Sequence, residues 1–159
     1  MQKKGELNFH EAKEKALRYL EFRSHSEKEL RDKLYRAGAK EEDILKIMEF
    51  LKEYRFIDDK SFAEKYAHDL KTLKKFGKIR VKSELFKKGI SSDIIDDVLE
   101  TFDWDGEDVL TPLVLKKLSG DFQKKSIDRC IRYFLYKGYS FDEIKTSIDK
   151  IKTEEEYDI

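Results

Sequence analysis

The chain has 159 residues and balances 34 Lys and Arg against 34 Asp and Glu, so it is formally neutral although 43% of it is charged. That charge density fits many amphipathic surface helices and argues against one large globular centre. No apolar stretch approaches the roughly 18–20 residues a bilayer requires, the segment Met1-Gln2-Lys3-Lys4-Gly5-Glu6 lacks the apolar part of a signal peptide, and the lone Cys130 excludes an internal disulfide. A cytoplasmic protein without a membrane partner is expected. With one proline and no alternating apolar run between turn residues, the chain reads as all-α.

In chain order, residues 1–8 read as an N-terminal extension. Asn8 with Glu11 caps a first helix to about Phe22 that buries Phe9, Ala12, Ala16 and Leu20. Arg23-Ser24-His25 is a turn, and Ser26 with Glu29 is a second capping box, opening a helix that carries Leu30 and Leu34. A third helix spans Lys40 to Tyr54, with Ile44, Ile47, Met48 and Leu51 on one stripe. Asp58 or Asp59 then caps a helix bearing Phe62, Ala63, Tyr66, Ala67 and Leu70. Gly77 separates it from the helix containing Arg80 to Lys88. Ser91 caps the next one, with Ile95, Val98, Leu99 and Phe102 inward. Asp103-Trp104-Asp105-Gly106 is a turn. Pro112 costs about 3 kcal/mol inside a helix, so the following helix begins near Asp108 to Thr111 or kinks there. Ser126 to Lys137 and Phe141 to Ile151 complete the set, the latter opened by Ser140 with Glu143. The acidic end, residues 153–159, lacks periodicity and is expected to fray.

These helices repeat. With Gly38, Gly89 and Gly138 in register, at spacings of 51 and 49 residues, apolar residues align around them. Leu34, Leu85 and Phe134 lie four before the glycine, and Tyr35, Phe86 and Leu135 three before. Ile44, Ile95 and Ile144 lie six after, Met48, Leu99 and Ile148 ten after, and Leu51, Phe102 and Ile151 thirteen after. Self-similarity at one period marks a repeat protein. The predicted architecture is three tandem three-helix repeats (9–57, 58–102 and 103–152) in an elongated, curved array, right-handed or rod-like. Each glycine follows a helix, where the left-handed conformation costs a residue with a Cβ on the order of 1 kcal/mol.

Chemistry is sparse. His10, His25 and His68 match no metal spacing, and Asp58-Asp59 and Asp96-Asp97 are neighbours that a helix turns apart. No nucleophile context or phosphate-binding glycine loop is present, so no catalytic, cofactor or metal site is expected. Cys130, between Ile127, Ile131 and Phe134, reads as a packing residue. What stands out is charge placement: Lys71 to Lys88 contains eight basic residues against Glu84 alone. On the Lys78 to Lys88 helix, Ile79, Val81, Leu85 and Phe86 span a broad apolar arc with Lys82 inside it, while Arg80 and Lys87 point away. Lys74, Lys75, Arg80 and Lys87, with Lys88 beside them, form a candidate phosphate-binding ridge. Arg31, Arg36, Arg129 and Arg132 are flanking candidates.

Three segments resemble successive signatures of the RecX family: Arg23-Ser24-His25-Ser26-Glu27-Lys28-Glu29-Leu30, then Phe56-Ile57-Asp58-Asp59-Lys60-Ser61-Phe62-Ala63, then Gly77 through Ile90. The resemblance covers about residues 12 to 151 in the right order. Lys78 stands where the family usually has proline, Arg55 where it often has glycine, and Lys137-Gly138-Tyr139 where Arg-Gly-Phe is common. The resemblance implies a monomeric regulator, usually inhibitory, that binds RecA recombinase filaments and single- or double-stranded DNA without a cofactor. The alternatives are a helical-repeat transcriptional regulator, disfavoured by the scarcity of Asn and Gln for base reading, and a scaffold unconnected with nucleic acid.

Overall fold

The computed structural model describes residues 5–104 and 108–158, and among them it holds nine α-helices and no strand. They are α1 (Phe9–Phe22), α2 (Glu27–Arg36), α3 (Glu41–Glu53), α4 (Asp59–Thr72), α5 (Lys78–Lys87), α6 (Ser92–Glu100), α7 (Leu110–Leu118), α8 (Lys124–Lys137) and α9 (Phe141–Tyr157). The chain divides into two compact units: Met1–Tyr66 with Leu85–Val98, and Ala67–Glu84 with Leu99–Ile159. Among the described residues no helix is long and apolar enough to cross a membrane.

In the first unit, α1, α2 and α3 close over Ala12, Ala16, Leu30, Leu34, Ile47 and Leu51, all fully buried. Each buried leucine or isoleucine contributes about 1.5–3 kcal/mol of apolar transfer energy. Leu7, from the expected extension, packs against the same core. The capping boxes at Asn8/Glu11 and Ser26/Glu29 are both formed. Asp58 caps α4 by accepting from the backbone N–H groups of Lys60 and Ser61. Asp59 instead accepts from the backbone N–H of Glu27 at 2.8 Å, linking the starts of α4 and α2. Both acids are thus accounted for by structure. His25, read as a turn residue, is buried: its Nδ1 donates to the Arg23 carbonyl at 2.9 Å and its Nε2 accepts from Lys33 Nζ at 2.8 Å.

In the second unit, α7, α8 and α9 enclose Val114, Cys130, Phe134, Ile144, Ile148 and Ile151. Pro112 falls in the first turn of α7, where its missing N–H costs nothing. Burial raises the pKa of the Cys130 thiol, as suits a packing residue. Of the turn proposed at Asp103 to Gly106, Asp105 and Gly106 lie outside the described residues.

Several expectations are corrected. Phe9 is 40% exposed, because Ala12 and Ala16 suffice to bring α1 onto its neighbours. Ile79 and Phe86 are 60% and 75% exposed, so the buried stripe of α5 narrows to Val81 and Leu85 and leaves Lys82 in solvent. The position three before each glycine is apolar yet exposed in every copy: Tyr35, Phe86 and Leu135 are 70%, 75% and 44% accessible. Only the position four before belongs to the core. Past Ile151, α9 continues to Tyr157, since Lys152 and Glu154 to Glu156 are good helix formers even without a core to cover.

Gly38, Gly89 and Gly138 all adopt positive φ, at 99°, 77° and 100°. Each ends its helix in the Schellman pattern, as at Gly138, whose N–H donates to the Leu135 carbonyl while that of Tyr139 donates to the Phe134 carbonyl, both at 3.1 Å. The close packing around them goes beyond what the repeat pattern implies. A Cβ on Gly138 would strike the Arg80 backbone, one on Gly38 the Gly5 carbonyl, and one on Gly89 the Lys28 side chain.

Candidate nucleic-acid interface

The start of α5 sits on the end of α8. The N–H groups of Gly77 and Ile79, left without partners inside their own helix, donate to the carbonyls of Lys137 and Gly138 at 2.9 and 3.2 Å. Arg80 completes this junction. Its Nη1 donates to the Tyr136 carbonyl at 3.0 Å, its Nε pairs with Glu84 at 2.8 Å, and its guanidinium lies 4.8 Å from the Phe76 ring and 4.6 Å from the Tyr136 ring. The Tyr136 and Glu84 hydrogen bonds hold its pKa even higher than usual. Arg80 is therefore committed to the junction and does not stand in a solvent-facing ridge.

Lys74 and Lys75 take a different place. They lie in the turn between α4 and α5, where Lys75 has positive φ of 57°. Its conformation is held from both sides. The Phe76 N–H donates to the Leu70 carbonyl at 3.1 Å, and the Tyr139 hydroxyl donates to the Lys75 carbonyl at 2.7 Å. Burial pushes the Tyr139 phenol up to about 12, so it remains a donor at physiological pH. Lys74 and Lys75 share a cavity of about 390 Å³ with Lys116 and Lys117 of α7 and with Lys137 of α8. Leu113, Tyr133 and Phe134 are the apolar residues of its lining. Among the described residues no carboxylate lines the cavity, and none of its five lysines makes an ion pair. Lys117 Nζ lies 4.0 Å from the Tyr133 ring centre, and Lys137 Nζ lies 5.2 and 5.6 Å from those of Phe76 and Tyr133. Such contacts hold ammonium groups at an apolar surface without neutralising them.

The remaining sequence candidates are dispersed. Lys87 and Lys88 belong to the first unit, where Lys88 pairs with Glu29 at 3.3 Å. Arg31 pairs with Glu27 at 3.1 Å, and Arg36 donates to the Asp32 carbonyl at 3.3 Å. Arg129 and Arg132 are exposed on α8, and the pKa of Asp121 is lowered by hydrogen bonds from Ser126 and the Gln123 N–H and, less, by the charge of Arg129. The sequence reading missed Lys116, Lys117, Lys137 and Tyr133 as partners of Lys74 and Lys75. The available signal was weak: a basic pair ending α7 and a lysine ending α8 each suit a helix C-terminus on their own account.

Among the described residues no cluster of His, Cys, Asp and Glu can hold a metal ion. The fold and site define an all-helical repeat protein with an uncompensated cationic basin. The comparisons are specific about which. Residues 12–51 match the family model for the first three-helix domain of RecX, and residues 58–99 that for the second. The regulatory protein RecX of Clostridium botulinum strain Eklund 17B is 34% identical over 152 residues, covering 92% of this chain and 71% of the relative. That of Clostridium perfringens strain 13 is 39% identical over 144 residues, covering 86% and 66%. The crystal structure of RecX from Lactobacillus salivarius superimposes with a TM-score of 0.73 at 27% identity, covering 91% of this chain and 97% of that one. The chain belongs to the RecX family of regulatory proteins.

Proposed function

We propose that this chain acts in the cytoplasm as a monomeric, non-enzymatic regulator that binds RecA recombinase filaments and DNA and inhibits their ATP hydrolysis and strand exchange. Family membership over most of the chain carries the RecA reading. The five-lysine basin supports the DNA reading, because cations that no carboxylate offsets attract phosphates and release their counterions. The units of recognition in this reading are the three repeats at 9–57, 58–102 and 103–152. Lys74 and Lys75 remain on the binding surface, joined by Lys116, Lys117 and Lys137. Lys87, Lys88, Arg31, Arg36, Arg129 and Arg132 lend weaker attraction, because they are dispersed and Glu29, Glu27 and Asp121 offset Lys88, Arg31 and Arg129.

Co-sedimentation with RecA filaments assembled on single-stranded DNA tests the partner. The chain is expected in the pellet with filaments and to a smaller extent with DNA alone. Equal recovery with and without RecA would reduce it to a DNA-binding protein, and no recovery with either would leave a scaffold.

A further inference from the structure

The basin's shape says more than its charge. It is a cavity of about 390 Å³, within the ~300–1,000 Å³ usual for small-molecule sites, and Leu113, Tyr133 and Phe134 give its lining an apolar and aromatic part. A duplex offers its phosphates on a stiff convex surface and keeps its bases stacked inside. It can touch the rim of such a cavity but cannot fill it. An unstacked nucleotide can do both, with a base against the aromatic lining and phosphates at the lysines. Sequence-tolerant single-strand sites combine these parts: a cationic track for the backbone and an aromatic ring for the base.

We infer that the cavity between α7, α8 and the Lys74–Lys75 turn is a single-strand subsite, in which Tyr133 stacks one base and the surrounding lysines hold the adjoining phosphates. Tyr133 is 40% exposed, and its ring stands edge-on to the buried Phe134 at 87° and 5.0 Å, which fixes its orientation. Lys117 rests against that ring. An entering base takes its place there, and the released ammonium turns to the incoming phosphate. Lys74, Lys75 and Lys116 line the same cavity. This subsite rests on the DNA-binding reading above and gives it a location and a strand preference.

The test uses the full chain and a fluorescently labelled oligothymidylate, beside a duplex of equal length, over a salt series. Lys116→Gln with Lys117→Gln is expected to reduce the single-strand salt slope by about 0.7 for each phosphate left without its lysine, with a smaller change on the duplex. Tyr133→Leu is expected to weaken single-strand binding roughly 5- to 150-fold with the slope unchanged, as removal of one stacking platform requires, while Tyr133→Phe retains it. Circular dichroism checks that each variant is folded. A 2-aminopurine base in the strand, quenched by the parent and not by Tyr133→Leu, gives a readout independent of affinity. The inference is overturned if folded variants bind the strand like the parent, if binding to strand and duplex weakens equally, or if a polyglutamate of equal charge competes as well as the oligonucleotide. A parent that binds neither nucleic acid overturns the DNA-binding reading as well, whereas a parent that binds through other residues overturns the subsite alone.

Discussion

The ends of α5 and α8 are met in two different ways. At Gly89, in the first unit, contact is through side chains. Ser26 Oγ donates to the Lys88 carbonyl at 2.6 Å, Lys88 Nζ pairs with Glu29, and the Lys28 side chain covers the glycine. At Gly138, in the second unit, contact is through the backbone, with Gly77 and Ile79 donating to Lys137 and Gly138. The register makes these junctions counterparts: Ser26 and Gly77 each lie twelve residues before a repeat glycine, and Glu29 and Arg80 each nine before. One position thus carries opposite charges. Glu29 meets the ammonium of Lys88 and the guanidinium of Arg23, whereas Arg80 meets Glu84 and a carbonyl. A side-chain junction can give way to strain, but a backbone junction has little room to do so.

The largest effect that can break this comparison lies at the glycines. Ala at either position suffers left-handed strain on the order of 1 kcal/mol. At Gly138 the added Cβ also meets the backbone of Arg80, while at Gly89 it meets the Lys28 side chain, whose outer carbons can swing aside although its Cβ must shift with its own helix. Gly138→Ala is expected to cost about 2–4 kcal/mol and Gly89→Ala about 1–2, measured by urea unfolding. Equal destabilisation would show that the two junctions are equally tolerant. Next comes Arg80→Ala, which removes two charge-assisted hydrogen bonds at a partly exposed site and is expected to cost about 1–2 kcal/mol. A charge-removal variant that includes Arg80 therefore confounds binding with stability, and the lysines alone make the cleaner set.

Arg55 sharpens the comparison from the other direction. It holds φ of 56° at the end of α3, with its N–H donating to the Lys52 carbonyl and that of Phe56 to the Leu51 carbonyl. This is the repeat-glycine geometry built on a residue with a Cβ. Arg55→Gly should stabilise the protein by about 0.5–1 kcal/mol, raising the urea midpoint. The smallest effect concerns pH. Burial lowers the pKa of His25 below 6.5, and the nearby Arg23 and Lys33 charges add to this against the Arg23 carbonyl bond and Glu29. The unfolded chain then binds the proton more readily, so stability is present above pH 6.5 and declines as pH falls from there through the lower folded value. His25→Asn should unfold with a flatter pH dependence across that window than the parent, as followed by thermal melts.

What was legible in the sequence follows the physics of each element. Capping boxes and helical apolar stripes are local, so Ser26/Glu29, Ser140/Glu143 and the core positions at Leu34, Ile44 and Met48 were readable in place. The positive φ of the three glycines was equally local. What each glycine touches depends on a segment tens of residues away in the chain, and nothing in the spacing of Gly77 and Arg80 reveals the end of α8. The candidate basic site was half legible for the same reason. Lys74 and Lys75 stood out as unbalanced charge, but Lys116, Lys117 and Lys137 join them only through the folding of the second unit. The partners of Arg80 were hidden because helical projection shows which way a side chain leaves its own helix and not what it meets.

Inhibition of RecA can be read out by strand exchange run with rising amounts of the folded chain. Product yield is expected to fall as the chain is added, higher salt to weaken the effect, and the variant with Lys74, Lys75, Lys116 and Lys117 changed to Gln to require more protein for the same inhibition. Strand exchange that proceeds at its ordinary yield, with the parent chain folded and present in excess over the filament, would contradict the proposed inhibition.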